Sequence, residues 1–243
     1  MLELYPITRI FLDKSFPIYN LFVAFGFVCG ILLFEKNIRN FPESKSRKQD
    51  AVVYFSFSVL FAFITANVLN WFIFPEVLQM PLMLRVAAAG YTWYFGFIGF
   101  ILVSFFIFSF QGYRYSELLN AIVPSLTLFH GLGRIGCSLG GCCYGKPINL
   151  ELLGVSVPLF PAREIEAGLL LLLTILFQTK IRKNRFVVYL LVYSIARFVL
   201  EFGRGDDRGQ LFTDFLSPSQ EISLFIAALV VLGFVYRLSQ KVR

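Results

Sequence analysis

Seven apolar runs, at about 17–34, 51–74, 91–110, 119–139, 164–179, 186–203 and 220–236, alternate with short polar connections along the chain. A helix that crosses the hydrocarbon core of a bilayer needs ~20 mostly apolar residues, and six of the runs are close to that length. The fifth is the weakest, opening on Arg163, Glu164 and Glu166 before a short, purely apolar part. The pattern predicts an all-α polytopic membrane protein of about seven transmembrane helices. No polar stretch is long enough to build a soluble domain, so residues 1–243 are expected to form a single integral membrane domain. At the start, Arg9, Asp13 and Lys14 are interspersed with Leu2, Ile7, Ile10 and Phe11. No small-residue cleavage site follows the first apolar run, so the leading segment predicts an amphipathic stretch on the membrane surface rather than a cleaved signal.

Composition excludes a soluble protein of this size. The chain is 57% hydrophobic, 18% aromatic and 15% charged, with 30 phenylalanines and a mean hydropathy of +0.72; one core could not bury that much apolar surface. Basic residues then set the expected direction. With the N-terminus outside, the inner loops hold Lys36, Arg39, Lys45, Arg47, Lys48, Arg114, Lys180, Arg182, Lys183, Arg185, Arg237, Lys241 and Arg243. The outer segments hold Arg9, Lys14, Arg85, Lys146, Arg204 and Arg208, and Arg134, Arg163 and Arg197 fall within or beside spans. Thirteen against six predicts an N-terminus outside and a cytoplasmic C-terminus. The net charge of +7 is then explained by anchoring against anionic lipid, with no nucleic acid partner. The same orientation brings the ends of spans four and six, and the polar loop 203–217, toward the outer face.

The segment Phe129-His-Gly-Leu-Gly-Arg-Ile-Gly-Cys-Ser-Leu-Gly-Gly-Cys-Cys-Tyr-Gly145 carries the candidate chemistry. A charged side chain at membrane depth is costly and usually faces a partner, a cavity or a substrate. Arg134 in span four and Arg197 in span six are the deepest arginines. Glu201, one turn after Arg197, offers a purely structural pairing; two guanidinium groups at one depth equally suit an anionic headgroup, because they bind phosphate bidentately and keep their charge. His130 lies four residues before Arg134, on the same side of a helix, as a base or as a hydrogen-bonding contact between helices. Gly131, Gly133, Gly136, Gly140, Gly141 and Gly145 allow close helix approach or room for a ligand against the backbone.

Cys29 reads as a small apolar filler. Cys137, Cys142 and Cys143 form C-x4-C-C, consistent with a disulfide from Cys137 in an oxidising compartment or with a reactive thiol. The tight spacing and the absence of a second histidine argue against zinc, so neither metal nor cofactor is expected. Tyr19, Tyr94, Tyr144 and Tyr193 suit an interfacial aromatic belt, and Tyr193, one turn before Arg197, also suits the same cavity.

At these residues the chain resembles the prolipoprotein diacylglyceryl transferase family, over nearly its whole length. Ile18-Tyr19-Asn20-Leu21 resembles the family's tyrosine-glycine pair in span one, and Tyr94-Phe95-Gly96-Phe97-Ile98-Gly99 its H/Y-G-G-L-I-G stretch. Gly133-Arg134-Ile135-Gly136 opens the signature and Gly145 closes it. Pro161-Ala-Arg-Glu-Ile-Glu-Ala167 is similar to P-x-Q-L-Y-E, residues 193–204 to Y-G-x-x-R-F-x-x-E-F-x-R, and Leu216-Ser217 with Gln220 to L-S-x-x-Q. Where the usual signature reads N-x-x-N-x-E, this chain has Cys137, Gly140 and Cys142. Tyr94 replaces a common histidine, Asn120 an aspartate, and Thr65-Ala66-Asn67 an arginine motif. The chain thus looks like a cysteine-rich branch.

The resemblance implies an enzyme of the bacterial inner membrane. It would transfer the diacylglyceryl group of phosphatidylglycerol to the thiol of a lipobox cysteine in a prolipoprotein and release glycerol phosphate. Arg134 and Arg197 would hold the phosphate, Glu201 would orient Arg197, and His130 or the field of the arginines would replace the missing base at Tyr94. Tyr19, Gly96, Gly133, Gly136, Gly145, Cys137, Cys142, Tyr193 and Arg204 would line the substrate site, with Glu166 and Arg204 at its mouth. The altered signature also admits a non-protein acceptor, or a lipid-binding membrane protein without catalysis.

Overall fold

The structure, a computed structural model, describes residues 18–39, 41, 45–152, 155–206 and 209–242; the predicted amphipathic segment 1–16 lies outside them. Seven long helices follow the seven apolar runs: α1 (Ile18–Ile38), α2 (Lys45–Val68), α4 (Trp93–Phe110), α5 (Tyr115–Leu139), α6 (Ala162–Thr179), α7 (Arg185–Glu201) and α8 (Pro218–Val242). The protein is an all-α polytopic membrane protein. Five segments, Ile18–Ile38, Arg47–Phe72, Trp93–Phe110, Tyr115–Leu139 and Pro218–Tyr236, are long and apolar enough to cross a bilayer on those grounds alone. The other two helices carry most of the buried charges among the described residues, Arg163 and Glu166 on α6 and Arg185, Arg197 and Glu201 on α7. The outer surfaces are apolar, as lipid requires. On α1 the stripe Leu21, Phe25, Val28 and Leu32 is about half exposed along one helical face.

Two features were not foreseen in the loops. Residues 69–90 hold two short 3-10 turns, Leu69–Phe72 and Pro75–Gln79, and an eight-residue helix α3 (Leu82–Ala89). Between α5 and α6 an antiparallel hairpin pairs β1 (Pro147–Leu152) with β2 (Val155–Leu159), in the register Leu150 to Val157 and Leu152 to Val155.

Glycines decide which helices pair closely. Gly26 and Gly30, four apart on α1, face α5: a Cβ on Gly26 would lie 3.2 Å from the Phe129 carbonyl, and one on Gly30 3.4 Å from that of Ser125. This is the small-xxx-small contact that lets membrane helices approach. On α4, a Cβ on Gly96 would come within 3.2 Å of Ala62 and Ala66 of α2, and one on Gly99 would overlap the Thr65 side chain. The bundle therefore contains two tight pairs, α1 with α5 and α2 with α4, while α6 packs on α5 and α8 on α7.

Pro124 sits inside α5, which continues unbroken to Leu139. A proline has no N–H to give the carbonyl four residues back, here that of Asn120. Arg185, at the start of α7, supplies the bond instead, Nη1 to the Asn120 carbonyl at 2.9 Å. At the other end of the bundle, the Ser217 hydroxyl accepts from the Gln220 amide at 3.3 Å and the Gln220 side chain accepts from the Ser217 amide at 3.0 Å. The L-S-x-x-Q stretch is thus a capping box that starts α8.

Because Thr65 is β-branched and fixed on its helix, Gly99→Ala should force α2 and α4 apart at a cost of roughly 1–3 kcal/mol. Thermal unfolding in detergent should show the lower midpoint, with partial recovery when Thr65→Gly is added; an unchanged midpoint would contradict this packing.

Candidate active site

The buried Glu166 carboxylate, on the first turns of α6, gathers residues from two other helices. Its Oε2 lies 3.1 Å from Arg134 Nε of α5 and 3.0 Å from Arg197 Nη1 of α7. Its Oε1 accepts from the Tyr193 hydroxyl at 2.8 Å and lies 3.6 Å from His130 Nε2. Arg197 also reaches Glu201 Oε2 at 2.7 Å and Ser219 Oγ of α8 at 3.3 Å. Glu166 is 0% exposed and Arg197 2%. Two carboxylates balance two guanidinium groups, which is what makes charges tolerable in so dry a place.

The geometry corrects the sequence reading on one point. Arg134 and Arg197 do converge, but the group between them is Glu166, which belongs to the centre of the cluster and not to a mouth. Its signal was present in the sequence, as an acid at the start of an apolar helix; which arginines it would meet was not.

A cavity of about 420 Å³ opens between the two tight helix pairs. Its walls are largely apolar, including Val23, Val59, Phe63, Phe97, Phe100 and Phe129, and its polar side is Tyr19, His130, Arg134, Cys137, Cys142 and Cys143. Gly96 and Gly133 line it as well. Among the described residues no hydrogen bond engages the terminal nitrogens of Arg134. His130 stacks on Trp93, with ring centroids 3.5 Å apart and planes at 13°, and neither of its nitrogens has a hydrogen-bond partner among the described residues.

Helical phase divides the glycine ladder of α5. Gly131 abuts Leu170 and Leu171 of α6, Gly136 abuts Phe22 of α1, and a side chain at Gly133 would meet nothing. Both readings of the ladder therefore hold, at different residues: Gly136 is a helix contact, and Gly133 leaves cavity space.

Other expected residues lie elsewhere. Tyr94 is buried away from the cavity, its hydroxyl 2.6 Å from Ser223 Oγ, and so ties α4 to α8. Arg197, Glu201 and Tyr193 stand behind Arg134 and do not line the cavity. Gly145 bridges to Arg204 through the backbone, and a Cβ there would overlap the Phe160 carbonyl. Arg204 makes a two-pronged contact with Asp206, Nε to Oδ1 at 2.8 Å and Nη2 to Oδ2 at 2.7 Å.

Beyond α5, the turn at Gly140–Gly141 folds the chain back so that the sulfurs of Cys137, Cys142 and Cys143 lie within 4.8 Å of one another. All four cysteines are free thiols. Arg163, which the sequence reading left without a role, holds this loop: its Nη1 donates to the Cys142 carbonyl at 2.6 Å and to that of Cys137 at 3.5 Å. The loop is also pinned to the chain after α7, with the Lys146 amide 2.7 Å from the Gly203 carbonyl and the Gly205 amide 3.1 Å from that of Tyr144. Hydrogen bonds from the Cys137 and Cys142 thiols, working against burial and aided by Arg134 and Arg204, hold the Cys143 thiol below its ordinary range.

Comparison with known proteins agrees in extent with the helical plan. Residues 7–236 match the family described as prolipoprotein diacylglyceryl transferase. A Clostridium perfringens protein named phosphatidylglycerol–prolipoprotein diacylglyceryl transferase 2 is 32% identical over 240 residues, covering 90% of this chain and 91% of its own. A Clostridium tetani protein named phosphatidylglycerol–prolipoprotein diacylglyceryl transferase is 27% identical over 239 residues, covering 91% and 92%.

Removing one partner from a buried ionic cluster costs about 3–5 kcal/mol, because the remaining charge stays unpaired. Glu166→Gln should therefore lower the thermal midpoint in detergent far more than Glu117→Gln at the exposed Arg114 pair; equal, small shifts would show that Glu166 does not hold the two arginines.

Proposed function

The chain belongs to the prolipoprotein diacylglyceryl transferase family, and we propose that it transfers the diacylglyceryl group of phosphatidylglycerol to a lipobox cysteine thiol, releasing glycerol phosphate. The observation that carries the site assignment is Arg134: a guanidinium whose terminal nitrogens carry no hydrogen bond among the described residues, lining an apolar cavity of about 420 Å³. A diacylglycerol body suits apolar walls, and a phosphodiester suits the Arg134 cation that faces them.

In this reading the lipid enters between the two helix pairs with its headgroup toward Arg134. During transfer, negative charge gathers on the phosphate oxygen that leaves the glycerol carbon. A fixed guanidinium in a dry site stabilises that charge strongly because it needs no reorganisation. Arg197 is a positioning residue: it acts through Glu166, which fixes Arg134 Nε. His130 stacks on Trp93 in the cavity wall with Nε2 3.6 Å from Glu166, and so supports the cluster that holds Arg134. Tyr94 fixes α8 against α4 instead of serving as a base.

The basic-residue bias supports seven spans in one membrane domain, with the N-terminus outside and the C-terminus cytoplasmic. The cavity and the cysteine loop would then lie in the outer half of a bacterial inner membrane, where exported prolipoproteins emerge. Phosphatidylglycerol and the lipobox peptide are the partners, the surrounding bilayer is the medium, and no nucleic acid is involved.

Purified protein mixed with phosphatidylglycerol and a lipobox peptide should give a peptide heavier by one diacylglyceryl group and an equal amount of glycerol phosphate. Glycerol phosphate without modified peptide would point to another acceptor, and lipid binding without release to a non-catalytic role. In the same assay Arg134→Lys, which keeps the charge but loses the fork, should slow turnover by about 10²–10³-fold. His130→Gln keeps a donor and an acceptor, so turnover should stay within about tenfold with an unshifted pH profile; loss of one limb of that profile would make His130 the base.

A further inference from the structure

We propose that Cys137, Cys142 and Cys143 form a three-thiolate site for one zinc ion whose fourth position receives the acceptor thiol. The proposal rests on the transfer reaction above and names what activates the nucleophile. The sequence argued against zinc because the spacing is tight and a second histidine, as a fourth ligand, is lacking. That objection holds for structural sites, which close with four; catalytic sites use three and leave one position for substrate or water.

Three sulfurs on one zinc, each at ~2.3 Å in tetrahedral geometry, stand roughly 3.8 Å apart. Here the three sulfur atoms lie within 4.8 Å of one another, so modest side-chain rotation brings them to a common centre. The cluster is built and held. Arg163, 3% exposed, clamps the carbonyls of Cys137 and Cys142, and the loop is pinned at Gly145 to Arg204. Cys143 sits at φ 59°, in the left-handed region that a side chain occupies at a cost. Cys137 is buried and Cys142 exposed, which leaves an approach for a peptide from outside. All three line the same cavity as Arg134, and Cys137 follows Arg134 by one turn of α5, on the same face.

Charge and ligand softness both favour the ion. Three thiolates and Zn²⁺ carry a net charge of −1, with Arg134 lining the same cavity as the sulfurs, and thiolates select soft d10 ions over calcium or magnesium. The chemistry required is thiolate formation, since only the thiolate is nucleophilic, and a thiol bound to zinc loses its proton outright. The acceptor thiol enters the fourth position and releases its proton to water. The thiolate sulfur attacks the glycerol carbon that carries the phosphoester oxygen: the C–S bond forms, the C–O bond breaks, and its electron pair leaves on the phosphate beside Arg134. Glycerol phosphate departs, and the thioether product, now uncharged, leaves zinc for the next thiol. A chain with tyrosine at position 94, tied to Ser223 away from the cavity, gains its activation this way.

The test uses the full-length chain, reduced, in nanodiscs containing phosphatidylglycerol. One equivalent of Co²⁺ should give thiolate-to-metal charge-transfer absorption that one equivalent of Zn²⁺ abolishes. A lipobox peptide, but not its Cys→Ser analogue, should raise that absorption by about one third, as three sulfur ligands become four. Cys137→Ser/Cys142→Ser/Cys143→Ser should bind no metal, and Cys29→Ser should bind as the native chain does. Should the triple variant fail to fold, Cys142→Ser alone should weaken zinc binding by at least about tenfold. Chelation should lower peptide lipidation at least a hundredfold, and added Zn²⁺ should restore it. Sub-stoichiometric metal, binding indifferent to the three cysteines, full turnover after metal removal, or a disulfide between these cysteines in the active protein would each overturn the site. A peptide-sensitive metal signal with no lipid transfer under any condition would uphold the site and overturn the transferase reading.

Discussion

Everything around the cavity depends on one carboxylate being buried between two guanidinium groups. Glu166 is 0% exposed, and its charge is balanced by Arg134 and Arg197, both within 3.1 Å of the same oxygen. The constraint runs in the other direction as well. Arg134 could not face an apolar chamber alone in a membrane; held at Nε by Glu166, it keeps its terminal nitrogens for something that arrives from outside. Glu166 thereby joins α5, α6 and α7 through a single charge balance, and Glu201 and Ser219 extend it to α8.

The cavity exists because close packing is concentrated elsewhere. Gly26 and Gly30 draw α1 onto α5, and Gly96 and Gly99 draw α4 onto α2. Each pair is tight internally, and the gap left between the pairs is a largely apolar cavity of about 420 Å³. Trp93 and Phe129, stacked near His130, shape its wall. Rigid pairs with an apolar gap between them offer a lipid a lateral way in without unfolding anything. They also confine polar contact to the few residues of α5 that face the gap.

The cysteine loop obeys a different logic from the bundle. It is held by backbone contacts and by Arg163, not by apolar packing, and the Cys142 thiol itself donates to the Cys137 carbonyl at 3.6 Å. Gly145, Gly203 and Gly205 allow the hairpin side and the segment after α7 to stack where any Cβ would collide with Phe160 or with backbone. This is why an otherwise bland run of glycines lies next to the most polar part of the chain. The loop and the ionic cluster meet at α5, where one turn separates Arg134 from Cys137.

The sequence by itself determined the helices, because a seven-fold alternation of apolar and polar segments has only one solution in lipid, and it singled out Arg134, Arg197, His130 and the three cysteines, because such side chains are costly in helices that face hydrocarbon. It also carried the capping box at Ser217 and Gln220 as a local signal. What it could not decide was partnership. Glu166 and Arg163 look alike as charges at the head of a weak apolar run, yet one is the centre of the ionic cluster and the other a clamp on a loop 21 residues earlier. Whether Gly133 or Gly136 faces open space, and whether Tyr94 faces the cavity or Ser223, follows from helix rotation, which periodicity leaves undetermined in helices apolar on nearly every side. Only the packed tertiary structure fixes those rotations, because contacts between residues far apart in the chain set them.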